Sequence, residues 1–299
     1  MIKIANAPCS WGALEFELEG EVPDYVQVLN EIVETGYAGT ELGDWGFMPT
    51  DPKKLAQEIH QRELVLLGAF VPVFLKDPAA HQTGLEVAVR TANLLAAVEG
   101  ELPLIILADE NGHVPERTKN VGRITPEMGL NDAEWEIFAE GAMKVAEAVK
   151  KEAGLRTAFH HHCAGYVETP AEIAKLMSMT DARLLGLVFD CGHYRLGGGD
   201  PLEGLRRYGQ RVWHFHFKDY HPGVGKQVVE NGWDYFQAVR KGVFCELGKG
   251  EVDFPVLMAE LTGLNYNGWG VVEQDVLPGM GKPKESAQRN RDYIRSLGS

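Results

Sequence analysis

Histidine and carboxylate collect at particular places along this chain: HHH at 160–162, FDCGH from Phe189 to His193, HFHFKD from His214 to Asp219, and VVEQD from Val271 to Asp275. Each string closes a short apolar run. Imidazole and carboxylate together suit Mn, Fe, Co or Zn, so their meeting on one rim predicts a divalent-metal site. Side chains alternate along a strand, which puts His160 and His162 on one face with His161 turned away, and groups His214, His216 and Lys218 in the same manner. Asp190, at the end of LLGLVFD, has two readings, a cap for the turn that follows and a metal ligand; His193 shortly after it favours the ligand. His216 lies nearer the rim than His214, so His216 is the expected ligand and His214 the expected buried, hydrogen-bonded neighbour. Glu273 ends an apolar strand where an unpaired carboxylate is costly, which calls for a metal or a lysine beside it. Glu41 stays open between an ion pair with Lys218 or Arg156 and contact with substrate. Lys218 is either an acid or base whose ammonium a nearby cation disfavours, or the partner of Asp219 or Glu273. Trp11, Trp45 and Phe70, near the early strand ends, would make an apolar wall beneath a bound ring or pack the mouth. Cys163 and Cys191 read as small fillers, since thiolate ligands would give a closed structural zinc site.

These residues need strands that end on a common rim. Apolar, β-branched runs alternate with amphipathic stretches along the whole chain, and strands are predicted at Lys3 to Ala7, Gly39 to Leu42, Leu64 to Phe70, Leu102 to Ala108, Leu155 to His162, Leu184 to Asp190, Val212 to Lys218 and Gly270 to Gln274. The helical patterns between them open near Asp, Thr or Pro and close near Gly. With no linker and no internal repeat, this predicts a single-domain (β/α)8 TIM barrel over residues 1–299. Barrel active sites lie at the C-terminal strand ends, where the strings above fall. Two connections on that side, Asp109 to Asn131 and Asp219 to Asp253, are too long for plain turns and are expected to wall or cover the pocket.

Composition narrows the function. An apolar share of 44% with 24% charged residues fits a soluble globular protein. The longest apolar run, Leu64 to Leu75, is interrupted by Gly68 and Pro72 and falls short of the roughly 18 residues that suggest a membrane span. The N-terminal residues lack a signal-peptide core, so a cytoplasmic location without membrane association is expected. Cys9, Cys163, Cys191 and Cys245 show no CxxC spacing and read as reduced thiols. A net charge of -14 repels polyanions and argues against a nucleic-acid partner. GGGD at 197–200 has no GxGxxG arrangement, so no dinucleotide cofactor is expected.

The strings GYAGTELG, HHHCAGYVETPAEI, GLVFDCGHYRLGGGDP, VWHFHFKD, LGKGEVDFPVLMAEL and YNGWGVVEQD resemble, in order and spacing, the xylose-isomerase-like barrel superfamily of sugar isomerases and epimerases, over nearly the whole chain. Within it, HHHCAGYVET with FDCGH looks most like the keto-inositol (inosose) dehydratases of bacterial inositol catabolism. The resemblance implies one divalent metal (Mn, Co, Fe, Zn or Mg) and a small polyol or keto-sugar substrate, in a homodimer or homotetramer. It implies Asp190, His216 and Glu273 as ligands, with His160 standing where most relatives carry a glutamate. His162 and His193 match substrate-contacting histidines, and His161 is expected to be structural.

The implied reaction removes a proton next to a ketone and expels a β-hydroxyl as water. Glu273 or a histidine near the metal would take the proton, and His162, His193 or Lys218 would donate one to the leaving oxygen. Sugar isomerisation and 3-epimerisation start with the same abstraction, although the absence of Glu at position 160 disfavours the paired glutamates that epimerases of this superfamily use. Dehydroshikimate dehydration is a further alternative, as is a barrel that senses sugar without turnover. An apurinic endonuclease would need more ligands, including on the second and third strands, and a basic face; Glu41 is alone on the second strand, the third offers no ligand, and the chain is acidic.

Overall fold

The computed structural model describes residues 2–13 and 23–298. The strands are β1 (Lys3–Asn6), β2 (Gly39–Thr40), β3 (Val65–Leu66), β4 (Gly68–Val73), β5 (Leu104–Asp109), β6 (Arg156–His160), β7 (Leu185–Asp190), β8 (Val212–Phe217), β9 (Asp219–Tyr220), β10 (Phe244–Cys245) and β11 (Trp269–Val272). Nine of them form one sheet in the order β3-β2-β1-β11-β8-β7-β6-β5-β4, and every pairing in it is parallel. The ends of this sheet meet in the chain itself. Leu67 donates its N–H to the Thr40 carbonyl and accepts from Leu104, while Leu42 donates to Gly68 at 2.9 Å. β3 and β4 are therefore two pieces of one stave, and the barrel closes with eight. The single strand expected over Leu64 to Phe70 breaks at Leu67 because there the chain leaves one neighbour and joins the next.

Amphipathic helices join the staves and bury their apolar faces against the sheet, as crossover connections between parallel strands require. The longest, Asp132–Ala153, starts with a reciprocal capping box between Asn131 and Glu134 and stops at Gly154 in the left-handed region (φ 72°). Among the described residues no helix is long and apolar enough to cross a membrane. The cysteines are free thiols.

Both long connections carry structure of their own on the C-terminal rim. The first contains the short helix Pro115–Lys119; the second contains the antiparallel β9 and β10 and the helices Pro222–Asn231 and Tyr235–Arg240. Arg117 fastens the first one. Fully buried, it donates Nε to the Gly165 carbonyl and both terminal nitrogens to Glu172, each at 2.8 Å. The planar fork thus locks the fourth connection onto the loop that follows β6. Replacing Arg117 by Met leaves that carboxylate without its cation, and urea unfolding is expected to report a loss of about 3–5 kcal/mol.

Candidate active site

β6, β7, β8 and β11 are neighbours in the barrel wall, and their C-terminal ends deliver His160, Asp190, His216 and Glu273 to one point. Asp190 pairs in register with His216, and Glu273, just past β11, is anchored by its N–H to the Phe217 carbonyl at 3.0 Å. His160 Nε2 lies 3.1 Å from His216 Nδ1. His216 Nδ1 lies 3.3 Å from Glu273 Oε2 and 3.7 Å from Asp190 Oδ2, which is 3.8 Å from His160 Nε2. A tetrahedral ion with ligands at about 2.0–2.1 Å has edges of about 3.3 Å, so these spacings fit a divalent cation with small adjustments.

A second observation supports that fit. Asp190 splits its carboxylate: Oδ1 caps the helix Cys191–Leu196 by accepting the His193 N–H at 2.8 Å, whereas Oδ2 is fully buried among the cluster without a hydrogen bond. An orphan carboxylate oxygen in that position is costly unless a cation meets it. The cap reading of Asp190 therefore holds for Oδ1, which leaves Oδ2 as the oxygen that could meet a cation. His161, turned to the other side, accepts the Asp190 N–H at 3.2 Å and packs its ring on Phe189 and Tyr194.

Glu41 bonds both histidines of β8. Its Oε1 accepts from His214 Nε2 at 2.8 Å and from His216 Nε2 at 3.0 Å, so His216 turns its Nδ1 edge to the cluster. It forms no ion pair with Lys218 or Arg156. A carboxylate behind a ligating imidazole fixes its tautomer and raises its basicity. Glu41→Gln is expected to weaken divalent-cation binding about 10–100-fold by calorimetric titration, with the fold intact. Burial opposes a charge on His216, but Glu273 and Glu41 outweigh it and hold its pKa well above the usual value. The protein alone thus presents a field that attracts positive charge.

Lys218 is 2% exposed, with Nζ at 3.2 Å from Glu273 Oε2, 3.2 and 3.3 Å from the Asp275 oxygens, and 3.5 Å from His193 Nε2. Burial works against its ammonium, yet in the metal-free protein Asp275 and Glu273 prevail and raise its pKa well above the ordinary value. Its partners are Glu273 and Asp275. Asp219 instead accepts backbone N–H groups of Tyr220, Gly248, Gly250 and Val252, pinning the loop beyond β10.

β6 stops at His160, short of the predicted His162, but alternation persists and both rings line the pocket. His162 Nδ1 bonds the Cys163 carbonyl at 2.7 Å and its Nε2 lies 3.4 Å from the Tyr235 hydroxyl. His193 sits behind it, ring against ring at 3.9 Å, fully buried and outside the pocket lining. Its Nδ1 accepts the Cys163 N–H, so it braces His162 and Lys218. Of the aromatic residues expected beneath a ring, Phe70 lines the pocket, while Trp11 and Trp45 do not. Trp11 is 1% exposed and donates to Glu31, and Trp45 lies on the outside, stacked on Arg90. Each finds its partner on a helix behind the rim. Asp275, Tyr235, Cys9 and Asp44 also line the pocket and had no role assigned from sequence. The parity of VVEQD places Asp275 on the same face as Glu273 and was the signal available; Tyr235, within a long connection, had none.

The family model for the Xylose isomerase-like TIM barrel matches residues 29–297. The chain is 31% identical over 294 residues to an inosose dehydratase of Clostridium perfringens, covering 98% of this chain and 97% of that one. Among solved structures, 3-keto-D-glucoside 4-epimerase from E. coli superposes with a TM-score of 0.71 at 16% identity, covering 99% and 100% of the two chains. The IOLI protein with a binding zinc atom superposes with a TM-score of 0.70 at 14% identity, covering 99% and 98%. At such identities these two structures speak to the fold.

Proposed function

The chain belongs to the Xylose isomerase-like TIM barrel family, and from that premise we propose that it is a metal-dependent hydro-lyase that removes water from a keto-inositol. One observation carries the reading: the buried cluster of two histidines and two carboxylates opens, through His160, His216 and Glu273, into a pocket that His162 and Lys218 also line. Its dehydratase relative supports a small polyol substrate, and the net charge of -14 disfavours a polyanionic one.

Dehydration beside a ketone needs a base for the C–H proton, stabilisation of the oxyanion and an acid for the departing hydroxyl. His160, Asp190, His216 and Glu273 would hold a divalent ion, which would supply Lewis-acid polarisation of the ketone, and this donor set suits Mn, Fe, Co or Zn better than Mg. His162 serves as the base. Its Nδ1–H is spent on the Cys163 carbonyl, leaving the lone pair on Nε2, and burial followed by the Lys218 charge lowers its pKa to about 3. Nε2 therefore stays unprotonated and takes the proton from the carbon next to the carbonyl. Lys218 Nζ gives a proton to the β-hydroxyl as its C–O bond breaks and the C=C bond forms, releasing water. Glu273 and Asp275 hold Lys218 in its ammonium form for that step.

The test uses chelated protein reloaded with Mn or Co and supplied with 2-keto-myo-inositol. The expected result is metal-dependent growth of the dione absorbance and a product lighter by one water. If keto-inositol is untouched while a ketose gives a product of unchanged mass, the reading gives way to a sugar isomerase or 3-epimerase.

A further inference from the structure

The carboxylates lining the pocket have partners within the protein, with one exception among the described residues. Glu41 is held by His214 and His216, Glu273 by His216 and Lys218, and Asp275 by Lys218. Asp44 lines the same pocket, half-buried, and among the described residues burial is the influence on its carboxyl, pushing it up to about 6. No described side chain or backbone N–H bonds to it.

The loop carrying Asp44 is fastened from both sides. Gly43 has φ 73°, and a Cβ there would meet Phe47 at 3.2 Å and Pro8 at 3.3 Å, so the turn favours glycine on two counts. Trp45 is clamped outside by the Arg90 guanidinium, 4.0 Å from its ring. Outward Trp45 and pocket-lining Asp44 are consecutive, so the stacking that removes the tryptophan from the pocket helps keep the carboxylate in it. A half-buried carboxylate without donors among the described residues is costly to maintain, and a ligand that brings donors removes the cost.

We propose that Asp44 is a substrate-binding residue that accepts hydrogen bonds from two adjacent hydroxyls of a polyhydroxylated ring, and so selects fully hydroxylated substrates over deoxy ones. This rests on the dehydratase reading for the identity of the ring. A keto-inositol bears a hydroxyl on every carbon except the ketone, so its edge beyond the reacting atoms presents vicinal diols. The two oxygens of a carboxylate suit such a pair, and an ionised acceptor makes the stronger bonds.

Asp44→Asn and Asp44→Ala, each loaded with Mn, are expected to raise KM for 2-keto-myo-inositol roughly 10–100-fold while kcat changes by less than about threefold. Unchanged Mn titration and unchanged melting temperature show that the fold and the metal cluster are intact. Among monodeoxy keto-inositols, the wild type should discriminate against those lacking the engaged hydroxyls, and Asp44→Ala should not. Calorimetric binding of myo-inositol to the Mn-loaded protein reads the same contact without turnover and is expected to weaken by a similar factor in Asp44→Ala. Equal KM values for both variants and wild type, a fall in kcat with KM unchanged, or myo-inositol binding that is absent from wild type or the same in Asp44→Ala overturns the inference. Absence of keto-inositol turnover in the wild type overturns the dehydratase reading instead, and the calorimetric arm still decides the role of Asp44.

Discussion

Asp190→Asn should leave a folded barrel that neither holds a divalent cation tightly nor turns over substrate. Asparagine retains an oxygen for the His193 N–H, and it ranks with aspartate as a helix cap, so Cys191–Leu196 keeps its start. The other position changes sign. Where Oδ2 now lies unpartnered beside His160 and His216, an amide N–H2 would point donors at the cation's place and remove one negative charge. The loss of affinity should exceed the roughly 10–100-fold typical of residues that only support a ligand. Lewis-acid stabilisation is worth several kcal/mol, so at about 1.4 kcal/mol per tenfold in rate the expected fall in kcat/KM is about three orders of magnitude. Metal titration, steady-state kinetics and a melting curve on the same preparation check all three claims. Tight Mn or Co binding by this variant would remove Asp190 from the metal site.

Lys218→Met is the second large effect, and it separates stability from chemistry. The side chain is buried between Glu273 and Asp275, so its loss leaves two carboxylates facing each other without the cation they share. Breaking a buried ion pair from one side costs about 3–5 kcal/mol, expected in urea unfolding of the metal-free protein. Adding Asp275→Asn removes one of the stranded charges. The double variant should regain much of the stability, because residues in direct contact are not additive. Activity should stay low in both, since neither has a proton donor at the Nζ position. If Lys218→Met alone dehydrates keto-inositol at the wild-type rate, Lys218 is a structural cation and the acid lies elsewhere.

His160 and His162 show what alternation along a strand makes legible. Their shared face follows from a two-residue period that barely depends on the rest of the chain, and it holds past the point where β6 ends. The same two-residue period puts Asp275 on the face of Glu273, whereas its pairing with Lys218 follows only from the fold. Trp45 marks the limit. Position near a strand end put it at the mouth, but the side chain is drawn outward by Arg90 on the helix Pro78–Ala96, a partner that sequence spacing does not point to.

The amino-acid sequence by itself determined the alternation of staves and helices, hence the barrel and the rim on which imidazole and carboxylate gather, because hydrophobic periodicity and caps act over a few residues. Tertiary structure alone decided which charge meets which. Glu41 reaches His214 across 173 positions, and Lys218 chooses Asp275 across 57. Those choices depend on barrel closure and stave register, which bring distant residues within hydrogen-bonding reach and bury them where an unmatched charge is expensive.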